Sequence, residues 1–147
     1  MNANLVLSLL LILFASCTDR GKGHAIGAAR MGLTKIRYSM DSCALESPQK
    51  LKEMFDQGEA GFLKRYYQFA KETNDLFTKR DPDWERSHNY VDPWGHPYRI
   101  KITSQTTNEY RISIWSCGPN GEDETGSGDD VALESFIITV KPVPRVK

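Results

Sequence analysis

The 147-residue chain predicts an α+β fold in which N-terminal helices pack on a small antiparallel sheet. Two observations carry that class. In the first half, Ile26, Ala29, Leu33, Ile36, Met40 and Cys43 recur at spacings of three and four, the apolar stripe of a helix. In the second half the period changes to two: Tyr98, Ile100 and Ile102 alternate with Arg99, Lys101 and Thr103, and Tyr110, Ile112 and Ile114 alternate with Arg111, Ser113 and Trp115.

The chain opens on a short apolar run, Leu5 to Ala15, where polarity resumes abruptly at Thr18-Asp19-Arg20. A bilayer needs about 20 apolar residues, so the run is too short to span one and fits the apolar region of a secretory signal. Ala15-Ser16-Cys17 resembles a bacterial lipobox, which implies lipidation of Cys17 after cleavage. On this reading residues 1–16 are a lipoprotein-type signal peptide, 17–27 a polar, glycine-containing tether, and 28–147 one domain. Plain secretion and an uncleaved anchor are the other readings, and all three place the domain outside the cytoplasm, in the cell envelope or secreted.

The striped helix follows, with Gly27 and Gly32 each costing about 1 kcal/mol relative to Ala in its first turns. Ser47-Pro48 restarts a helix, Ser47 as N-cap and Pro48 at the first helical position, running through Leu51, Met54 and Phe55. After the break at residues 57–61, a further helical stretch carries Phe62, Leu63, Tyr66, Phe69, Ala70 and Phe77 and stops near Asp81-Pro82. The Tyr66-Tyr67-Phe69 cluster has the spacing of core aromatics rather than of a ligand platform. Asp92-Pro93-Trp94-Gly95-His96-Pro97-Tyr98 sets the lead-in to the sheet, its prolines fixing φ and its Trp anchoring the turn. His88, Asp92 and His96 lie four apart, but the intervening prolines and Gly95 forbid the helix that would gather them round a metal. The first two strands join through the polar turn Ser104 to Glu109, and a third run, Phe136 to Val140, ends at Pro142 and Pro144.

Composition narrows the function. A formal net charge of zero, with 26% charged residues and no basic stripe, argues against a nucleic-acid partner. With Cys17 lipidated, Cys43 and Cys117 remain; they form either a bridge or, the reading preferred here, two buried free thiols. Cys117 with His88 or His96 supplies a nucleophile and a base in principle. No orienting third group or oxyanion loop accompanies them, so the chain reads as no enzyme.

The segment from Gly118 to Asp130 concentrates chemistry. Glu122, Asp123, Glu124, Asp129 and Asp130 crowd carboxylates among glycines, a repulsion that a hard cation such as calcium relieves. It is no EF-hand, because the alternating Asp pattern ending in Glu is missing. The DPWGHPY stretch, Ser116-Cys117-Gly118-Pro119-Asn120-Gly121 and Gly128-Asp129-Asp130-Val131, in that order over about the last third of the chain, resemble the C-terminal domain of the type II secretion major pseudopilin, the G protein.

That resemblance implies a pseudopilin-like fold and one bound calcium. Its acidic ligands fall at Asn120 and Asp129, with main-chain carbonyls from about Cys117, Glu122 and Ser127, and with Asp123 or Asp130 able to substitute. Asn120 keeps an oxygen where the family has a charge. The family's N-terminal peptidase site and long apolar helix are not present in this sequence. The expectation is therefore a lipid-anchored, calcium-stabilised envelope protein that acts in secretion or envelope assembly through contacts with other envelope or secretion-apparatus proteins. The alternative is a divergent true pseudopilin of a type II secretion or pilus-like filament.

Overall fold

The structure, a computed structural model, describes residues 3–72 and 91–141, with side chains from residue 23 to 70 and from 91 to 141. It is an α+β fold of helices on an antiparallel sheet: α1 (Ala3–Glu46), α2 (Pro48–Asp56), α3 (Phe62–Glu72), β1 (Arg99–Thr106), β2 (Glu109–Ser116), β3 (Val131–Ala132) and β4 (Phe136–Thr139). Phe77, Asp81-Pro82, His88, Pro142 and Pro144 lie outside the described residues, as does the Cys17 side chain. Among the described residues no helix is long and apolar enough to cross a membrane.

Helix α1 covers Ala3 to Glu46, so its backbone takes in residues 17–27, expected as a tether. Within it Ala29, Leu33, Ile36, Met40 and Cys43 are buried, as the stripe predicts. Ile26, the stripe's first member, is exposed. The Ser39 hydroxyl, on the same buried side, shares a 2.7 Å hydrogen bond with the Tyr66 hydroxyl of α3. Tyr66 is thus a core residue: its ring stacks on Phe62, which stacks on Phe55 of α2.

Ser47 precedes Pro48 as expected, but its side chain makes no cap hydrogen bond. Its amide instead donates to the Cys43 carbonyl at 2.8 Å, and its carbonyl accepts from Leu51 N–H at 3.1 Å, so helical bonding runs through the bend. The Arg65 guanidinium fastens the α2–α3 connection, donating to the carbonyls of Ala60 and Gly58.

Strand β2 is the centre of the sheet, paired with β1 on one side and with β3 and β4 on the other. The third run therefore starts earlier than its hydrophobic pattern, at Val131–Ala132 opposite Ser116 and Trp115, and resumes at Phe136 opposite Ile112. The β1–β2 strands also extend further than expected, leaving only Thr107 and Asn108 between Thr106 and Glu109. Ile100 pairs with Ile114 and Ile102 with Ile112, so the alternating isoleucines share one face and join the core under α1. Tyr98 reaches furthest: its phenol lies against the α carbon of Gly32, in the space any Cβ there would occupy. Gly32 is thus a packing notch in α1, and its helix-propensity cost accompanies a close helix–sheet approach.

Candidate functional site

The two motifs, the DPWGHPY turn and the acidic loop after β2, are brought against each other. Asp92 organises the turn. Its Oδ1 accepts from Trp94 N–H at 3.0 Å and His96 N–H at 2.9 Å, while its own N–H donates to the His96 carbonyl at 2.7 Å. This is the local turn chemistry Asp favours ahead of Pro and Gly. Asp92 Oδ2 accepts from the buried Ser116 hydroxyl at 2.5 Å, and that hydroxyl oxygen in turn accepts from Gly118 N–H at 3.2 Å. At only 4% exposure, Asp92 needs these donors, because a buried carboxylate without partners is costly.

His96 makes the second tie. Its Nδ1 lies 3.1 Å from the Gly118 carbonyl, and its ring lies so close over Gly121 that a Cβ there would fall 2.8 Å from Cε1 and Nε2. His96 and Asp92 therefore serve as links between turn and loop. Cys117, between Ser116 and Gly118, is a buried thiol, and neither it nor the buried Cys43 is in a disulfide. The neighbouring Cys117 leads the causes raising the Arg99 guanidinium above its usual value, and Asp123, 3.5 Å away, adds to it.

The acidic loop folds over the outer side of the sheet. Trp115 alternates with Ile114 and so projects from the face opposite α1, yet it is buried. Its indole N–H donates to Asp123 Oδ1 at 2.9 Å, and Gly126 lies over its Cβ. Asp123 Oδ1 also accepts from Thr125 N–H at 3.1 Å. Asp123 is thus an anchor of the loop, engaged by Trp115, Thr125 and Arg99.

Of the residues expected as cation ligands, the fold gathers Asp129 and Asp130, and joins to them Glu124. One carboxylate oxygen from each lies within 4.8 Å of the others. Asp129 Oδ2 faces Asn120 N–H at 3.3 Å, while Asn120 Oδ1 is occupied by Glu122 N–H at 2.7 Å in a tight local turn. Glu122 is exposed, and the Ser127 hydroxyl donates to the Glu124 carbonyl at 2.5 Å. Glu124 was one carboxylate among several in the sequence; its place follows from Gly128, at φ +58°, whose missing Cβ leaves room for the Glu124 carboxylate. Glu124 Oε2 also accepts from Asp129 N–H at 3.0 Å. Gly118, at φ +63°, makes similar room for the Asp129 carbonyl.

Asp130 Oδ2 accepts from Glu124 N–H at 3.1 Å and Gly126 N–H at 2.8 Å, fixing the loop's curl. Its other oxygen, Oδ1, is buried and has no hydrogen-bond partner among the described residues. A buried anionic oxygen without a partner is expensive. Glu124, Asp129 and Asp130 offer carboxylate oxygens of the kind a hard cation takes, and they are the residues that would hold one. A bound ion would neutralise the cluster. No family model, no curated protein and no solved structure matches the chain.

Proposed function

We propose that this is a non-enzymatic cell-envelope protein with a type II secretion pseudopilin G-like domain, held at a membrane by a lipid on Cys17. Calcium orders its acidic loop, and it works in secretion or envelope assembly through contacts with other envelope proteins. The observation that carries the proposal is the cluster of Glu124, Asp129 and Asp130, with Asp130 Oδ1 buried and unpartnered among the described residues. The loop that holds the cluster is tied to the DPWGHPY turn through Ser116 and Gly118 and covers Trp115, so an ion there would stiffen a surface built from both motifs. In this reading the ion is structural: it supplies charge neutralisation, and the side chains around it hold backbone rather than substrate.

Calorimetric titration with calcium and with magnesium is the test. Calcium should bind and raise the melting temperature, since any ligand of the native state does so by mass action. Magnesium, which resists losing its waters, should do so poorly. No calcium binding at millimolar concentration would remove the metal half of the proposal. For the anchor, Cys17→Ser should abolish metabolic labelling with palmitate and release the chain from membranes.

A divergent pseudopilin subunit is the second reading, favoured by the helical course of α1 from Ala3 to Glu46. Mass spectrometry of the mature N-terminus separates the two: a diacylated Cys17 supports the lipoprotein, an intact or differently cleaved N-terminus the filament subunit.

A further inference from the structure

We propose that the outer face of α1 is a self-complementary interface on which a second copy of this chain pairs antiparallel. Met31, Tyr38 and Leu45 stand 61%, 55% and 84% exposed. Each follows the last by two helical turns, so they form one stripe, on the side of α1 opposite the buried Leu33, Ile36 and Met40. The helix is therefore apolar on two sides, and the domain covers one of them.

Charge selects the occupant and its direction. Before Tyr38 the flanks of the stripe carry Arg30, Lys35 and Arg37; after it they carry Asp41 and Glu46. A parallel copy would set the basic halves side by side and the acidic halves likewise. An antiparallel copy, with its two-fold axis at Tyr38, sets each basic half against an acidic one. Met31 then meets Leu45 of the second copy, and Arg37 approaches the second copy's Asp41. The interface is isologous, the common arrangement in homodimers. Within one chain Arg37 and Asp41 approach only to 3.9 Å with both side chains exposed, so that pair is weak; the Arg37 guanidinium also lies over the Phe136 ring, 4.9 Å from its centroid. The pairing does not depend on the calcium reading. Two chains anchored to one membrane would meet this way with α1 lying along its surface.

Sedimentation velocity of the full chain, in a Cys17→Ser background, tests it. The expected result is a concentration-dependent dimer that Tyr38→Glu and Leu45→Glu each convert to monomer, with the melting temperature of the monomeric variants unchanged at low concentration. For direction, differently tagged Met31→Cys and Leu45→Cys chains are mixed and oxidised. A mixed disulfide in preference to either self-disulfide is expected, along with a self-disulfide of Tyr38→Cys. A chain monomeric at every concentration overturns the proposal, as does a dimer that persists in Tyr38→Glu. Self-disulfides of Met31→Cys and of Leu45→Cys would overturn the antiparallel arrangement. Monomers that sediment with phosphatidylcholine vesicles would assign the stripe to a lipid surface instead.

Discussion

The Ser116 hydroxyl, at the end of the central strand, donates to Asp92 Oδ2 at 2.5 Å, and both residues are buried. This one contact joins the turn that leads into the sheet to the loop that leaves it. Ser116→Ala should cost about 1–3 kcal/mol, the range for leaving a buried acceptor short of a donor. Asp92→Ala should cost more, because it also orphans the amides of Trp94 and His96. In urea unfolding the two changes should be non-additive by about 0.5–3 kcal/mol, as for residues sharing one network. Additive losses would mean that the turn and the loop are held independently.

Gly32 and Tyr98 give a second prediction. Gly32→Ala at an exposed helical position would gain about 1 kcal/mol of helix propensity. Here the new methyl collides with the Tyr98 phenol, so thermal unfolding should show a net loss, of about 1–3 kcal/mol, from overpacking. In a Tyr98→Ala background the same change should become neutral or stabilising.

The same phenol carries a pH signature. Burial, with the Asp92 charge adding to it, pushes the Tyr98 pKa up to about 12 from 10.0. A raised acid of this kind favours the folded state while it is protonated. Its contribution is complete below pH 10 and is lost as pH rises towards 12. Tyr98→Phe should flatten the stability curve over that interval. An unchanged alkaline slope in the variant would show that Tyr98 titrates as it does in the unfolded chain.

On the sheet, Ile112 is fully buried and lies opposite both Ile102 and Phe136. Ile112→Ala should cost about 2–5 kcal/mol. Arg111→Ala, on the exposed face, should stay near the roughly 0.5 kcal/mol typical of surface changes. Equilibrium denaturation of the two variants checks the register, because a one-residue slip would exchange the outcomes.

These isoleucines show which parts of the molecule are legible in sequence. Alternation over Ile100, Ile102, Ile112 and Ile114, and the stripe from Ala29 to Cys43, each reflect a face that one element buries, so periodicity alone reveals them. Ile26, at the start of the stripe, is exposed, so the burial the stripe implies begins only at Ala29. Trp115 reads as an outward residue by alternation, and only the return of the acidic loop buries it. Asp92 is hidden for another reason: its Asx turn is local and predictable, whereas its bond to Ser116, 24 residues away in sequence, depends on tertiary approach. The acidic cluster is half visible. Charge density marks the loop and the pseudopilin resemblance points to Asp129 and Asp130 within it, but Glu124 joins them through the room left at Gly128, while Asn120 turns its oxygen to Glu122 N–H.

The final prediction uses that cluster to separate loop architecture from ion binding. Glu124 and Asp130 both offer an oxygen to a cation, but Asp130 also holds the amides of Glu124 and Gly126. Glu124→Gln keeps an acceptor for Asp129 N–H and removes only charge. It should leave the metal-free melting temperature nearly unchanged while abolishing most of the calcium-induced rise. Asp130→Ala should lose the calcium response and also lower the metal-free stability, by about 1–3 kcal/mol, because two backbone donors lose their acceptor. Asn120→Asp, which adds a charge beside Asp129, should strengthen the calcium response if Asp129 is a ligand. Melting curves with calcium and with a chelator read all three variants. A Glu124→Gln chain that keeps the full calcium shift would place the ion elsewhere in the loop.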